Sequence, residues 1–289
     1  AEWKEWHKTP KAVKWKKTDK GTRWRRDVSL AYAKRSKGLA SVVATERTLQ
    51  VARRFREDAF YFPHMLDFRG RMYPIPVDFQ PQGRDLARGI LTFDEGRPVS
   101  REDGSAGWLA IHLANCMGID KVSLDERIAW VEERESLWRK IAADPLKHLE
   151  WTTEKKTAWQ ALAAVFEWVA YLEHGDGYVS HLPIRVDGTC NGIQHLSALV
   201  RDDVGGAAVN LVPGDQPRDI YKEVANPLAD KLRGIAVAGG AEGEKAAWWL
   251  EITEDDLPRS LTKRPVMILP YGGTQDAFFR YIQDWLKEE

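Results

Sequence analysis

Three short stretches carry side chains whose types and spacing could do chemistry. In the first, Leu182-Pro183-Ile184-Arg185-Val186-Asp187 reads as a strand that ends on a carboxylate before a Gly188-Thr189 turn and a helix through Val200. A carboxylate at such a junction projects from a rigid support into the crevice beyond the strand. Together with the Gly188 carbonyl it suits Mg2+, a hard ion held by one or two carboxylates plus substrate phosphates. Alternatively, Asp187 only caps the helix that follows. The second stretch has the form R-x3-K-x7-Y-G: Arg259, Lys263 and Tyr271-Gly272, with Arg264 beside the lysine. On a helix, positions 4 and 12 after the first lie about 40° and 120° around the axis. One broad face then offers cations for a triphosphate and a ring for a sugar and base, and the alternative is a solvated helix face. The third is Asp67-Phe68-Arg69-Gly70-Arg71, a glycine turn whose two arginines could straddle consecutive phosphates or pair internally with Asp67.

The elements expected to position these residues are mostly helical. Residues 1–60 read as helices broken at Ser36-Lys37-Gly38, with a second helix from Val42 to Ala59. Residues 60–81 suit short strands and turns, punctuated by Pro63, Gly70, Pro74, Pro76 and Pro81. Helices are expected at Gly107 to Asn115, Asp125 to Ala142 and Trp159 to His174, with Ser105 and Ser123 as N-caps of the first two. Pro217 to Ala225 reads as a helix and the small-residue stretch Ala236 to Glu244 as a loop. Residues 261–285 read as helical in parts, because Pro265 and Pro270 forbid one continuous ideal helix.

With 289 residues and 43% hydrophobic content, the chain can fill a sizeable core, which excludes disorder as its main state. No run of eighteen apolar residues is present, so no membrane partner is expected. Two cysteines, Cys116 and Cys190, cannot form a multi-bridge framework, and a reducing setting is expected. The net charge of zero hides an asymmetry: residues 1–60 hold 17 Lys/Arg against 7 Asp/Glu, a net +10, and leave −10 for the remainder. In that arm Lys14, Lys16, Lys17, Arg23 and Arg25 interleave with Trp3, Trp6, Trp15 and Trp24. Cations alternating with aromatic rings suit a phosphate backbone with stacked bases, or else a solvated helix with its tryptophans packed on a neighbour.

Taken together and in this order, WKK...RWRR, FYFPHMLDFRGRMYPIP, PQGRDLARGILTF, LPIRVDGTCNGIQHLSALVRDDVGGAAVNL and PRSLTKRPVMILPYGG resemble the single-subunit, bacteriophage-type DNA-dependent RNA polymerases and their mitochondrial relatives. The resemblance implies an α+β fold, mostly helical, with a palm built on a small antiparallel sheet and helical fingers, as part of a right-hand polymerase. It implies a basic helical arm at the end of the thumb over 1–60, a first part of the palm over 61–203 and a start of the fingers over 204–289. By the same resemblance Asp187, with the Gly188 carbonyl, holds catalytic metal, two Mg2+ ions being used in the assembled enzyme. Arg259, Lys263 and Arg264 contact the incoming triphosphate. Tyr271, followed by Gly272, lies against the sugar, and Asp67, Arg69 and Arg71 contact template and nascent strand. Related DNA polymerases place a glutamate five positions after the motif aspartate, where this chain has Gly192, whose missing side chain implies room for a 2′-hydroxyl.

The family's second metal aspartate follows in a His-Asp-Ser or similar motif, and this sequence has no His-Asp pair. The expectation is therefore an excised fragment or a split subunit, inactive or nearly so alone, whose missing carboxylate comes from a C-terminal polymerase part. Its other partners are expected to be a DNA template, an RNA product and ribonucleoside triphosphates, in the cytoplasm of an infected bacterial host or in a virion. The rival reading is a nucleic-acid-binding module that keeps the architecture without catalysis. A zinc site from Cys190, His181 and His195 lacks the paired Cys-x2-Cys or His-x3-His spacing such sites use.

Overall fold

The computed structural model describes residues 18–68, 70–152 and 157–288. Among these residues the chain is α+β and mostly helical, with two separate two-stranded antiparallel pairs. It divides into two compact units: one takes the described residues up to Gly118 together with Trp130–Ile184, and the other takes Ile119–Ala129 and the described part of Arg185–Glu289.

The first unit opens with α1 (Asp19–Arg54), capped by Thr18, whose side chain accepts from the Gly21 amide. The expected break at 36–38 is absent. A glycine inside a helix costs only about 1 kcal/mol relative to alanine, and the surrounding residues favour helix strongly enough to carry it. Most of α1 faces solvent, Tyr32, Leu39, Val42 and Val43 included, until Val51 and Ala52 pack beside Phe60, Phe62, Phe79, Ala87 and Leu91. A hairpin follows, β1 (His64–Leu66) against β2 (Met72–Pro74), in the register His64↔Pro74, Met65↔Tyr73, Leu66↔Met72.

The core of this unit forms around α6 (Ala158–His174), which packs against α2 (Asp85–Ile90), α3 (Ser105–Met117) and α5 (Glu135–Ala143). Its buried residues Ala161, Ala164, Val165 and Trp168 fall at the i, i+3, i+4, i+7 spacing of one helical face. Leu109 and Leu113 from α3 and Trp138 and Ile141 from α5 are fully buried there. Asp85 at the start of α2 accepts hydrogen bonds from the backbone amides of Trp159 (2.7 Å) and Gln160 (3.4 Å), donors that the first turn of α6 cannot pair internally, and from the Gln160 side-chain amide (2.8 Å). Gly89 lies flat on this turn, and a Cβ there would stand 2.8 Å from the Trp159 carbonyl. A short pair, β3 (Arg97–Val99) with β4 (Tyr178–Ser180), closes the unit.

Between the units in sequence, the single helix expected over Asp125 to Ala142 is two helices, α4 (Leu124–Glu132) and α5. The chain leaves helical geometry at Arg134, whose guanidinium donates to the Trp130 carbonyl (2.9 Å) and lies over the Trp130 ring at 4.5 Å. At the start of α4, Ser123 and Glu126 form a reciprocal capping box: the Ser123 amide donates to Glu126 Oε2 (2.8 Å) and the Glu126 amide to Ser123 Oγ (3.2 Å).

The second unit holds α7 (Asn191–Val200), α8 (Asp203–Ala208), α9 (Ile220–Ala238), α10 (Gly240–Ile252), α11 (Arg259–Ile268), a 3-10 turn (Leu269–Tyr271) and α12 (Gln275–Glu288). The stretch expected as a loop, 236–244, is the junction of α9 and α10, which turns on Gly239 and Gly240, both at positive φ (73° and 74°). Its alanines are strong helix formers, and Gly243 lets the two helices close: a Cβ there would meet the Ile235 and Ala236 carbonyls at 3.2 and 3.3 Å. Ala225, Ala229, Leu257, Leu261 and Trp285 form one buried cluster, and Cys190, Val209, Tyr221 and Val266 another. The strand expected over 182–187 is not formed among the described residues. A strand needs a partner to bond its backbone, Pro183 supplies no amide, and β4 ends at Ser180 on its pairing with β3.

Candidate functional site

Asp187 therefore sits on a segment without ladder partners, with Val186 beside it 79% exposed. What holds the segment is polar. Asp187 Oδ1 accepts the Gly188 amide at 2.9 Å. Thr189 Oγ1 accepts from the Asn210 side-chain amide (3.1 Å), which also donates to the Arg218 carbonyl (2.8 Å), while Asn210 Oδ1 accepts the Arg218 amide (2.7 Å). One carboxamide thus ties the Asp187 turn to the approach of α9. Cys190, in a left-handed conformation (φ 54°), starts α7, and its thiol packs with Val209, Tyr221 and Val266.

The second constellation divides its cations among different tasks. Arg259 pairs with Asp219 and lies over the Tyr221 ring at 4.7 Å. Asp219 in turn caps α9 through the Tyr221 amide (3.1 Å). Burial first, and then the neighbouring Cys190 thiol, push the Tyr221 phenol up to about 12, so it stays neutral under the guanidinium. Arg264 reaches towards α12, with its guanidinium 6.0 Å from the Tyr281 ring. Lys263 is exposed and has neither an ion pair nor a hydrogen bond among the described residues. The helix carrying them is seated by Thr262, which donates to the Tyr221 carbonyl at 2.7 Å, and by Val266 and Leu261 in the two apolar clusters.

Besides the apolar cluster shared by Cys190 and Val266, the two stretches meet through a polar contact. Tyr271, at the end of the 3-10 turn, donates its phenol hydrogen to Asn191 Oδ1 at 2.9 Å. Directly beneath, Gly192 has no side chain, and a Cβ there would stand 2.8 Å from Pro270 Cβ and 3.3 Å from Tyr271 Cε2. The space beside Gly192 is thus filled by Pro270 and the tyrosine ring. Gly272 then turns the chain at φ 78°, a conformation glycine adopts without the steric cost of a Cβ.

Asp67, by contrast, works within its own hairpin in the first unit. Its carboxylate accepts the Arg71 amide (3.0 Å), and its backbone closes the turn with the Arg71 carbonyl and the Gly70 amide, both at 2.9 Å. Phe68 at the tip is 97% exposed. Arg69, Lys14, Lys16 and Lys17 lie outside the described residues, as do Trp3, Trp6 and Trp15. Arg23 and Arg25 are exposed on α1.

For a metal, the Asp187 turn offers one carboxylate, with Oδ2 not hydrogen-bonded among the described residues, and the Gly188 carbonyl. These hard oxygen donors suit Mg2+ as contributors to a shell completed by water and phosphate. No three His, Cys, Asp or Glu side chains converge on a metal position among the described residues. His181 Nδ1 lies 2.8 Å from the Phe93 carbonyl in the first unit, and Cys190 is packed in the core of the second. Asn191, Asn210 and Asp219 are the polar residues that sequence reasoning missed. Only Asp219 carried a signal, as an N-cap type directly before an apolar helical stretch.

Comparison with known proteins gives the class. Residues 100–289 match the family described as DNA-dependent RNA polymerase, and the chain belongs to that family. It is 42% identical over 228 residues to the mitochondrial DNA-directed RNA polymerase of Neurospora crassa, covering 78% of this chain and 15% of that protein. It is 37% identical over 275 residues to T7 RNA polymerase of Escherichia phage T7, covering 88% and 30%. With the DNA-directed RNA polymerase of Enterobacteria phage T3, identity is 38% over 264 residues, covering 84% and 29%. The chain spans less than a third of the length of each of these relatives. No helix among the described residues is long and apolar enough to cross a membrane.

Proposed function

We propose that this chain is the part of a DNA-directed RNA polymerase that receives the incoming ribonucleoside triphosphate and supplies one of the carboxylates for its metal ions. The observation that carries the reading is the contact of Asn191 and Gly192 with Pro270 and Tyr271, through which the Asp187 turn and the end of the cationic helix α11 meet in a chain belonging to this family.

Asp187 Oδ2 and the Gly188 carbonyl would hold Mg2+, with a second aspartate coming from a C-terminal polymerase part. When bound, two such ions lower the pKa of the attacking RNA 3′-hydroxyl and neutralise the departing pyrophosphate. Lys263, exposed and uncommitted, places a point charge against the triphosphate and holds a proton that the leaving phosphate oxygen can take. Arg259 reaches the same phosphates only by exchanging its Asp219 partner for them, so its engagement is conditional where that of Lys263 is not. Arg264 adds positive charge beside Lys263. The Tyr271 ring, set by Gly192 and Gly272, would face the sugar, and because Pro270 and this ring already fill the space beside position 192, a glutamate there would act on sugar choice by pushing the ring aside. The hairpin with Asp67, Arg69 and Arg71, and the basic arm with Lys14, Lys16, Lys17, Arg23 and Arg25, would lie along the DNA template and the RNA product. Phage and mitochondrial relatives suggest an intracellular setting for these reactions.

Purified chain mixed with a C-terminal polymerase part, template and Mg2+ tests the proposal. Lys263→Ala is expected to lower nucleotide incorporation on the order of 10²- to 10³-fold while template binding, read by fluorescence anisotropy, is unchanged. Wild-type incorporation by that variant would remove Lys263 from the chemistry. Template binding without any Mg2+-dependent triphosphate binding would point to a binding module instead.

A further inference from the structure

We propose that Asn210 is a positioning residue that keeps the Asp187 carboxylate in register with the Arg259 guanidinium, so that metal ion and triphosphate are received as one body; this rests on the site reading given above. Among the described residues the Asp187 turn has no ladder partner, and Val186 is 79% exposed, so neither pairing nor burial of that flank fixes where the carboxylate stands. Thr189, two positions on, is held by the Asn210 side chain, whose Nδ2 donates to Thr189 Oγ1 at 3.1 Å. The same nitrogen donates to the Arg218 carbonyl (2.8 Å), and Oδ1 accepts the Arg218 amide (2.7 Å). A backbone amide can only donate and a backbone carbonyl only accept, so the two contacts with Arg218 fix which end of the carboxamide is oxygen and aim its other N–H at Thr189. Next to Arg218 is Asp219, which caps α9 through the Tyr221 amide and pairs with Arg259. A continuous path of bonds therefore runs from the turn bearing Asp187 to a cation that would meet the phosphates.

Both ends of the path are stiff. Val209, directly before Asn210, is fully buried against Cys190, Tyr221 and Val266, and its carbonyl accepts the Gln194 side-chain amide from α7 at 2.8 Å. Asn210 then takes a left-handed conformation (φ 58°), which asparagine adopts more readily than most residues. On the far side, the Arg218 guanidinium donates twice to the Glu223 carboxylate, at 2.6 and 2.7 Å, and so fixes the backbone that Asn210 grips. Asn210 itself is exposed, and bonds in such a place add little to global stability. Their effect is on placement, because a carboxylate displaced by about 1 Å no longer shares an ion with a phosphate held elsewhere.

The test is equilibrium binding of ATP to the 289-residue chain in Mg2+ and in EDTA, read as the ratio of the two affinities. Asp187→Ala sets the floor of that ratio, because the carboxylate that would read the metal is gone. Asn210→Gly deletes the three side-chain bonds and keeps the left-handed backbone without a steric cost. Its ratio is expected to fall about 3- to 10-fold towards the floor, with affinity in EDTA little changed. Thr189→Val removes the accepting oxygen alone and lowers the ratio by a smaller factor, whereas Thr189→Ser preserves it. Added to Asn210→Gly, Thr189→Val changes nothing further. A fall in affinity by the same factor in Mg2+ and in EDTA would mark a general structural defect and overturn the inference. So would an unchanged ratio in Asn210→Gly where Asp187→Ala lowers it, a result that leaves the proposed site standing. Should Asn210→Gly misfold, Thr189→Val against Thr189→Ser still reads the tether. If Asp187→Ala leaves the ratio of the unaltered chain in place, the site reading fails and the inference with it.

Discussion

The core around α6 and the junction around Asn191 hold their shapes by different forces. In the first, Leu109, Leu113, Trp138, Ile141 and Trp168 are almost wholly removed from water, and non-directional apolar burial supplies the stability. In the second, Val186 and Tyr271 stay largely exposed, and directional bonds from Asn210, Asn191 and Asp219 set the positions. Burial makes a region hard to unfold. Directional bonds contribute about 1 kcal/mol each, but they decide where one atom stands relative to another. Damage to the first region should therefore read out as lost folding, and damage to the second as lost placement.

The largest effect should come from Trp138→Ala, which empties a fully buried site and deletes the indole hydrogen bond to the Val131 carbonyl (2.8 Å). It is expected to cost about 3–5 kcal/mol in urea denaturation, and a loss under 1 kcal/mol would erase the contrast. Asp219→Ala should cost less, about 1–2 kcal/mol, by removing the cap of α9. Because it also releases Arg259, the same variant is expected to bind Mg2+-ATP more tightly by titration calorimetry, a gain in placement set against a loss in stability. Equal or weaker binding would show that Asp219 organises Arg259 rather than restraining it.

The smallest effect is expected at Glu126. The Ser123 hydroxyl, then the Ser123 amide and the Gln216 side chain, hold its carboxyl below the usual glutamate value. A lowered value in the folded chain means that folding favours the charged form. The contribution is complete above the ordinary glutamate range and is lost as pH falls through the lowered value. Melting curves of Glu126→Gln and the unaltered chain should differ at neutral pH and converge in acid. A gap that widens in acid would reverse the sign.

Legibility followed the same division. The helices α3 and α6 and the Ser123 N-cap were legible because local rules govern them, whereas Ser105, expected as the other N-cap, is the first residue of α3 and Gly104 takes the cap position. Asp187, Lys263 and Tyr271 were recognisable by type and motif. Their placement was not, since the bonds that fix it join residues far apart in sequence: 80 positions for Tyr271 with Asn191, 40 for Arg259 with Asp219, 21 for Asn210 with Thr189. An asparagine in a loop reads as a turn residue until its distant partner is known. The strand expected before Asp187 failed for a related reason, because apolar composition shows that a segment can pair but does not supply a partner. Gly38 and the 236–244 stretch misled in the opposite sense: the first is tolerated inside a helix that its neighbours carry, and in the second the alanines continue the helices while Gly243 allows their close approach.

The bare backbone at position 192 also bears on how such a chain can evolve. A new side chain there would collide with the proline and aromatic ring some eighty residues downstream, so a viable change has to arrive together with one at 270 or 271. Lineages carrying this architecture are therefore expected to exchange the two positions as a linked pair. A library randomised at 192 alone would return mostly glycine, whereas one randomised at 192, 270 and 271 together would recover bulkier residues.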